Sequence, residues 1–444
     1  MAHIVIIGNG ISGITTARHI RKLSDHRITV ISSETEHFYS RTALMYIYMG
    51  HMKFEHTKPY EDWFWKKNQI DLVFDHVNSV NFNEHKLAMQ SGKTIGYDKL
   101  VLAVGSKPNF FGWKGQELKG VQGLYSFQDL QIMEARTPKL NRAVVVGGGL
   151  IGIEMAEMFA SRRIPVTFLV REPSFWNKIL PPEESEMINN HIRSHHIDLR
   201  LDTELDEILD NGNGEVGGIV TKSGKKIPCE FVGVTVGVSP NIEFLKNTEL
   251  KIDRGILINS KQETNIKNVY AVGDCAQHIN PPEGRRPLEQ IWYTGKIQGE
   301  NCARIICNRP SEYDPGIFYN SAKFFDIEYQ IYGDVPAQHQ EGISSFFWQH
   351  ESGEKSIRIV YRDSDRAVVG FNLLGIRYRH KICESWIRRE VSVGRVIKEL
   401  KAANFDPEFY KTYEHEFVSK YENRFGETLK QQRIKGLTSF IFRK

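Results

Sequence analysis

The sequence predicts an α/β protein with two Rossmann-like domains followed by a smaller α+β domain. Two glycine clusters and one change of pattern carry this reading. Gly8-Asn9-Gly10-Ile11-Ser12-Gly13 follows directly on the apolar run His3–Ile7. Gly147-Gly148-Gly149-Leu150-Ile151-Gly152 follows Ala143–Val146 in the same way. Beyond about residue 313 the chain turns to strand-like runs such as Ser356–Tyr361 and Ala367–Gly375. Each glycine cluster leaves a buried-strand pattern and opens a helix, the context in which such a motif is informative. The first glycine permits a tight turn, the second lets a pyrophosphate approach the backbone, and the third lets helix pack on strand. The helix N-terminus offers free N–H groups and the positive end of its dipole to phosphates. Two such units imply two dinucleotide-binding domains, most simply one for a flavin and one for a nicotinamide.

Taken in order, residues 1–115 form the first part of a dinucleotide-binding domain. Its second strand, Ile28–Ile31, ends near Glu34, about 20 positions past the glycines, where a carboxylate accepts from a ribose 2′-OH. Ser32 stands where the acid more often lies, and Glu34 is preferred as ligand over a solvated loop glutamate. Leu100–Val104 reads as a buried strand running into the turn Gly105–Pro108. Residues 116–244 form the NAD(P)-binding domain. Its second strand, Val166–Val170, is followed by Arg171, whose fork suits a 2′-phosphate, and by Glu172, which suits a 2′-OH. NADPH is slightly favoured over NADH. Residues 245–312 return to the first domain, with strands at Ile256–Ile258 and Asn268–Gly273 and a Gly-Asp turn at Asp274. Residues 313–380 form the third domain, in which Phe324–Gly333 reads as one strand; 381–444 is a helical, basic extension.

The bulk properties fit a soluble enzyme. The chain has 444 residues, 40% hydrophobic and 25% charged, with a net charge of +4 that gives no reason to expect nucleic acid. No apolar stretch approaches the roughly 20 residues of a spanning helix. The first strand begins at once, so neither a signal peptide nor a transmembrane segment is expected, and the location is read as cytoplasmic. The five cysteines, Cys229, Cys275, Cys302, Cys307 and Cys383, show no paired or metal-ligand pattern. His191 and His195 have the i, i+4 spacing of a zinc pair, but no carboxylate or cysteine stands near them in sequence. They are read as a solvated helix face, and no metal is expected.

The ordered set Gly8–Gly13, Ala103–Pro108, Gly147–Gly152 with Glu154, Val236–Asn241 and Asn268–Ala276 resembles the two-dinucleotide-binding-domain flavoproteins. These are the pyridine nucleotide–disulfide oxidoreductase superfamily, and the resemblance covers about the first two-thirds of the chain. It implies FAD in a discontinuous domain, NAD(P)H in an inserted one, and a C-terminal α+β interface domain through which a homodimer could form. On the FAD side it implicates Gly8, Gly10, Ser12, Gly13, Glu34, Arg41, Val77, Ala103, Gly105, Asp274 and Trp292. Asp274 would bond the ribityl chain, and Trp292 either lines the flavin or belongs to the core. On the NAD(P)H side it implicates Gly147, Gly149, Leu150, Ile151, Gly152, Glu154, Arg171 and Gly237, with Glu154 near the junction of nicotinamide and flavin.

Disulfide reductases of this superfamily carry flavin-side cysteine, yet this chain has none before Cys229. Cys302 and Cys307 lie five apart in a helical stretch, pointing apart, and read as structural thiols. In place of cysteine, Tyr39, Arg41 and Leu44 match a Tyr-x-Arg-x-x-Leu segment of the ferredoxin and rubredoxin reductase branch. Arg41 would then lie against FAD. Met45 and Tyr46 depart from the serine and lysine that follow in that branch. Ferredoxin reductases usually carry a Trp-Ser-Asp segment in the last domain, whereas Ser321–Asp326 here is closer to the NADH oxidase and coenzyme A–disulfide reductase branch. The expected activity is electron transfer from NAD(P)H through FAD to a small ferredoxin- or rubredoxin-like protein or a small-molecule acceptor. Arg41, Arg285 and Arg286 are candidates for a basic docking patch. The alternatives are a peripheral-membrane quinone reductase anchored by Leu429–Lys444, an NADH oxidase, and a slow NAD(P)H-sensing flavoprotein.

Overall fold

The computed structural model describes residues 1–309, 311–405, 411–426 and 428–429. The chain divides into two compact units, Met1–Arg171 with Thr203–Pro315, and Glu172–Asp202 with the chain from Gly316 onward.

The first unit contains two parallel sheets. Apolar, β-branched runs flanked by glycine turns form strands buried on both faces, as parallel sheets require. In the first sheet the order is Val269–Ala271, Lys99–Leu102, His3–Ile7, Arg27–Ser32 and Ile70–Phe74. Ile7 thus lies in register between Ile31 and Leu102. The sheet is completed by a strand from far along the chain, since Val269–Ala271 pairs in parallel with Leu100–Leu102. In the second sheet Ala143–Val146 lies between Val166–Leu169 and Phe231–Val234, with Val121–Gln122 beyond the latter. An antiparallel ribbon, Ser106–Pro108 with Val238–Pro240, marks where the chain leaves and re-enters the first nucleotide-binding fold.

The helix Trp292–Ile306 crosses the fingerprint helix Ile11–Leu23 at close range, and glycines make this possible. A Cβ on Gly295 would lie 2.5 Å from Ser12 Oγ, and one on Gly299 would lie 2.6 Å from the Ser12 carbonyl oxygen. The turn after Val269–Ala271 fits the same junction, where Gly273 adopts φ +78°.

The second unit is built on a five-stranded antiparallel sheet. Its order is Tyr319–Phe324, Ile327–Gly333, Val368–Leu374, Ser356–Arg362 and Ile343–Gln349. The sequence read Phe324–Gly333 as one strand. Instead Phe324 pairs with Ile327, so Phe325-Asp326 is a two-residue hairpin turn with Phe325 at φ 57°. The apolar run through Phe324, Phe325 and Ile327 hides the turn, because nothing there carries a glycine or asparagine signal. The helices His380–Arg388, Val393–Glu399 and Glu414–Phe425 contribute Trp386, Val396, Phe417 and Tyr421 to a core with Phe346, Ile359 and Phe371. Residues 430–444 of the expected basic tail lie outside the described residues.

The helix Pro182–Ser194 belongs to this second unit, held by a buried ion-pair cluster. Arg358 donates to both oxygens of Glu184 at 2.7 Å, to Glu183 at 2.7 Å and to Ser345 Oγ at 2.7 Å. Glu184 is fully buried, so its charge is matched by a guanidinium rather than by water. Among the described residues no helix is long and apolar enough to cross a membrane.

Candidate active site

A cleft of about 840 Å³ opens in the first unit, at the C-terminal ends of its parallel strands. Such ends are where open α/β sheets place their ligands. Of the residues expected on the FAD side, Gly8, Gly10, Ser12, Glu34, Arg41, Val77, Ala103, Gly105, Asp274 and Trp292 line it. Leu150, Ile151 and Glu154 line it from the second fingerprint. Gly13, Gly147, Gly149, Gly152, Arg171 and Gly237 are not among its lining residues.

The two fingerprints have the same internal geometry. Gly8 sits at φ +110° with a Cβ position 2.1 Å from the Ala103 oxygen; Gly147 sits at φ +116°, 2.5 Å from the Thr235 oxygen. Gly13 and Gly152 would bring a Cβ to 2.0 Å from Gly8 O and 2.2 Å from Gly147 O. Between them, Gly10 and Gly149 face nothing within 4 Å. The outer glycines therefore build the turn and the helix packing, while the middle one leaves open space. Neither Ile11–Leu23 nor Leu150–Ser161 has a side-chain cap or an acid in its first turn. Both helix N-termini are thus free to bind an anion. An open glycine and an uncapped helix fit a pyrophosphate at each fingerprint.

Around the cleft wall runs a connected polar network. Glu34 and Arg41, both expected beside FAD, bind each other within this network. Arg41 donates from Nη2 to Glu34 Oε2 at 2.5 Å and from Nη1 to Oε1 at 2.9 Å. Glu34 also accepts from Tyr39 Oη at 2.5 Å and from the Phe127 N–H at 2.9 Å. Burial alone would raise the Glu34 carboxyl, but the Arg41 charge and these hydrogen bonds hold it below the usual carboxylate range. Arg41 further donates to the Tyr125 carbonyl and stacks over the Tyr125 ring at 4.4 Å. Tyr125 Oη accepts from the Ser106 N–H at 2.8 Å and reaches Asp274 Oδ2 at 3.3 Å. Burial raises the Asp274 carboxyl, and the Arg41 charge with bonds from Ser106 and Tyr125 offsets this only in part. A half-buried carboxyl of this kind at a Gly-Asp turn fits a hydroxyl-bearing chain, which both donates and accepts.

Tyr125 was missed by the sequence reading. It lies in no motif, and only the fold brings it between Arg41 and Asp274. Gln290, another unexpected lining residue, donates to Ser106 Oγ at 2.7 Å.

Glu154 lies one turn into the second fingerprint helix and faces the cleft. Burial, with the neighbouring Glu157 charge, pushes its carboxyl up to about 7. A carboxyl at this value changes charge near neutral pH. No cysteine lines the cleft. Cys275 and Cys302 are fully buried, and burial raises both thiols, that of Cys275 to about 12, so neither offers a thiolate nucleophile.

Two expectations made outside the cleft are corrected. Arg285 is no surface cation: its side chain is 7% exposed and pairs with Glu289 at 2.5 Å. With Arg41 committed to Glu34, only Arg286 of the three candidates for a basic patch is exposed. His191 is buried rather than solvated, and its Nε2 lies 2.7 Å from Asp326 Oδ1.

Residues 2–295 match the family model described as pyridine nucleotide-disulphide oxidoreductase. The chain belongs to this family. Its members are flavoprotein oxidoreductases that use FAD and NAD(P)H, and the two fingerprints meet those cofactors' requirements. Similar proteins include an NADH oxidase of Methanocaldococcus jannaschii, 31% identical over 73% of this chain and 74% of the relative. Another is a rubredoxin-NAD(+) reductase of Pseudomonas putida, 26% identical over 68% of this chain and 80% of the relative. The chain spans about half of an assimilatory nitrate reductase electron transfer subunit of Bacillus subtilis, 26% identical over 88% of this chain and 50% of the relative. Among solved structures, the covalent putidaredoxin reductase–putidaredoxin complex shares the fold with a TM-score of 0.79. It is 20% identical, with 91% of this chain and 99% of that one covered. An NAD-dependent persulfide reductase from A. fulgidus gives a TM-score of 0.83 at 21% identity, covering 96% and 84%.

Proposed function

We propose that this chain is an NAD(P)H-dependent reductase that passes electrons through FAD to a small ferredoxin- or rubredoxin-like protein. The observation that carries this reading is the composition of the cleft, which joins both fingerprints and contains no cysteine. When bound, FAD accepts a hydride and can release electrons one at a time, which is the chemistry a one-electron protein acceptor requires.

The chain's own residues position and tune. The open backbone at Gly10 and the N-terminus of Ile11–Leu23 hold the FAD pyrophosphate. Asp274, braced by Ser106 and Tyr125, binds the ribityl hydroxyls. Leu150, Ile151 and Glu154, which line the cleft from the second fingerprint, would border the nicotinamide. The Arg41–Glu34 pair fixes the cleft wall and places a guanidinium beside Tyr125. Relatives named for rubredoxin and ferredoxin reduction support the acceptor class. We place the activity in the cytoplasm.

The test is steady-state oxidation of NADH and NADPH by the purified holoprotein with a ferredoxin, a rubredoxin, a soluble quinone or oxygen as acceptor. Turnover with an iron–sulfur or rubredoxin acceptor at least 10-fold above that with oxygen or quinone supports the proposal. A preference for oxygen would favour the oxidase reading, which the M. jannaschii relative supports.

A further inference from the structure

We propose that His191, His195 and Asp326 form a zinc-class divalent-cation site in the second unit. It would clip the helix Pro182–Ser194 to the first hairpin of the antiparallel sheet. His191 lies in the last turn of that helix and His195 caps its C-terminus. Their rings are 4.5 Å apart between centroids. Asp326 is presented by the two-residue turn, 2.7 Å from His191 Nε2 and 3.6 Å from His195 Nε2 through Oδ1. One ligand atom from each of the three residues falls within 4.8 Å of the others.

The hydrogen bonding of His195 sets its tautomer. Its Nδ1 lies 3.0 Å from the His191 carbonyl oxygen. A carbonyl only accepts, so Nδ1 carries the ring proton. With that proton on Nδ1, Nε2 stands 3.6 Å from Asp326 Oδ1, which His191 Nε2 also meets at 2.7 Å. A divalent cation held by both imidazoles would take the place of the proton shared by His191 and Asp326. An imidazole whose outer N–H bonds a backbone carbonyl is oriented as metal-ligating histidines are.

Two further features hold the arrangement. The Phe325 ring stacks on His195 at 4.2 Å with an interplanar angle of 20°. Phe325 itself sits at φ 57°, a conformation that a bulky residue adopts only when its surroundings impose it. The turn that carries Asp326 is thereby locked against the histidine pair. Two imidazole nitrogens and one carboxylate oxygen suit Zn²⁺ or Co²⁺ rather than Mg²⁺ or Ca²⁺. The Asp326 side chain is 70% exposed, which leaves water access to complete the coordination.

The experiment uses the untagged full-length holoprotein, stripped with a chelator and titrated with Zn²⁺, with Co²⁺ as a spectroscopic probe. Asp326→Asn keeps the turn and His195→Gln keeps the helix end. Unchanged far-ultraviolet circular dichroism and unchanged protease resistance within Pro182–Ser194 show that each variant remains folded in the second unit. The expected result is one tight zinc equivalent per chain, a tetrahedral-type Co²⁺ absorption band, and a thermal midpoint that rises with zinc. Each variant should weaken zinc binding at least 10-fold and abolish the thermal shift. Absence of a tight zinc equivalent in the wild type would overturn the site and leave a proton as the cation between His191 and Asp326. Zinc binding unchanged by both substitutions would overturn it equally.

Discussion

Arg41 and Glu34 meet in a two-point ion pair on the cleft wall, at 2.5 and 2.9 Å. Both residues line the cleft, and each satisfies the other's charge there. The pair is a preformed part of the wall, and its loss should be felt by the protein before any cofactor binds.

Arg41→Met should therefore destabilise the apoprotein by about 2 kcal/mol at pH 7, the range of a charge-assisted hydrogen-bonded pair. The double substitution Arg41→Met, Glu34→Gln should recover part of this, because no buried carboxylate is then left alone. The Glu34 carboxyl is held below its ordinary value in the folded state. Its contribution is thus present above the unfolded carboxylate range and lost as pH falls through the lower folded value. Thermal unfolding of the two proteins should converge in acid. A gap that persists at the acid end, once Glu34 is protonated in the folded protein, would show that Arg41 acts through packing alone.

Glu154 carries the opposite sign. Its carboxyl is raised from 4.5 to about 7, so the folded state holds the proton more tightly than the unfolded state does. That contribution is complete below the unfolded value and is lost as pH rises through about 7. Glu154→Gln should be indistinguishable from wild type in stability near pH 4. At pH 8 it should be more stable by about 1–3 kcal/mol, given 1.36 kcal/mol per unit. The check is the thermal midpoint of both apoproteins across this range. Equal midpoints at pH 8 would contradict the placement of this carboxyl.

The middle and outer glycines should respond differently to alanine. Gly10 has φ −67° and open space at its Cβ position, so Gly10→Ala should change apoprotein stability by less than about 0.5 kcal/mol. It should weaken FAD binding at least 10-fold. Gly13→Ala drives a Cβ to 2.0 Å from the Gly8 oxygen and should reduce the yield of folded protein outright. Fluorescence titration with FAD and recovery of soluble protein separate the two effects.

In the second unit, Arg358→Met leaves Glu184 buried without its cation. A loss of about 3–5 kcal/mol is expected for a buried pair broken on one side. Arg358→Met combined with Glu184→Gln should be milder. Limited proteolysis within Pro182–Ser194 reports the same event locally, and equal protease resistance in the single variant would contradict it.

Much of the cleft was legible because glycine fingerprints act through local backbone geometry that sequence order already contains. Gly8, Gly10 and Gly13 lie within one turn, and the structure gives each a distinct role. The Gly-Asp turn at Asp274 was legible for the same reason. The network partners were not. Tyr125 is separated by 84 residues from Arg41 and by 149 from Asp274, and a lone tyrosine in a loop carries no periodic signal. Asp326 lies 135 residues from His191, so spacing along the chain could not supply the carboxylate partner. The Phe325-Asp326 turn was hidden because tertiary packing, not turn chemistry, imposes its positive φ. Arg285 reads as a surface cation in a polar stretch, and only the buried position of Glu289 withdraws it.

On the proposed function, one cleft brings NAD(P)H and FAD together without a thiol. The most direct measurement is an anaerobic titration of the holoprotein with NADH and, separately, NADPH, followed at the flavin absorption band, with wild type beside Cys302→Ser, Cys307→Ser. Stoichiometric bleaching by at least one nucleotide, unchanged in the cysteine variant, is the expected result. A bound flavin that neither nucleotide reduces would contradict the claim.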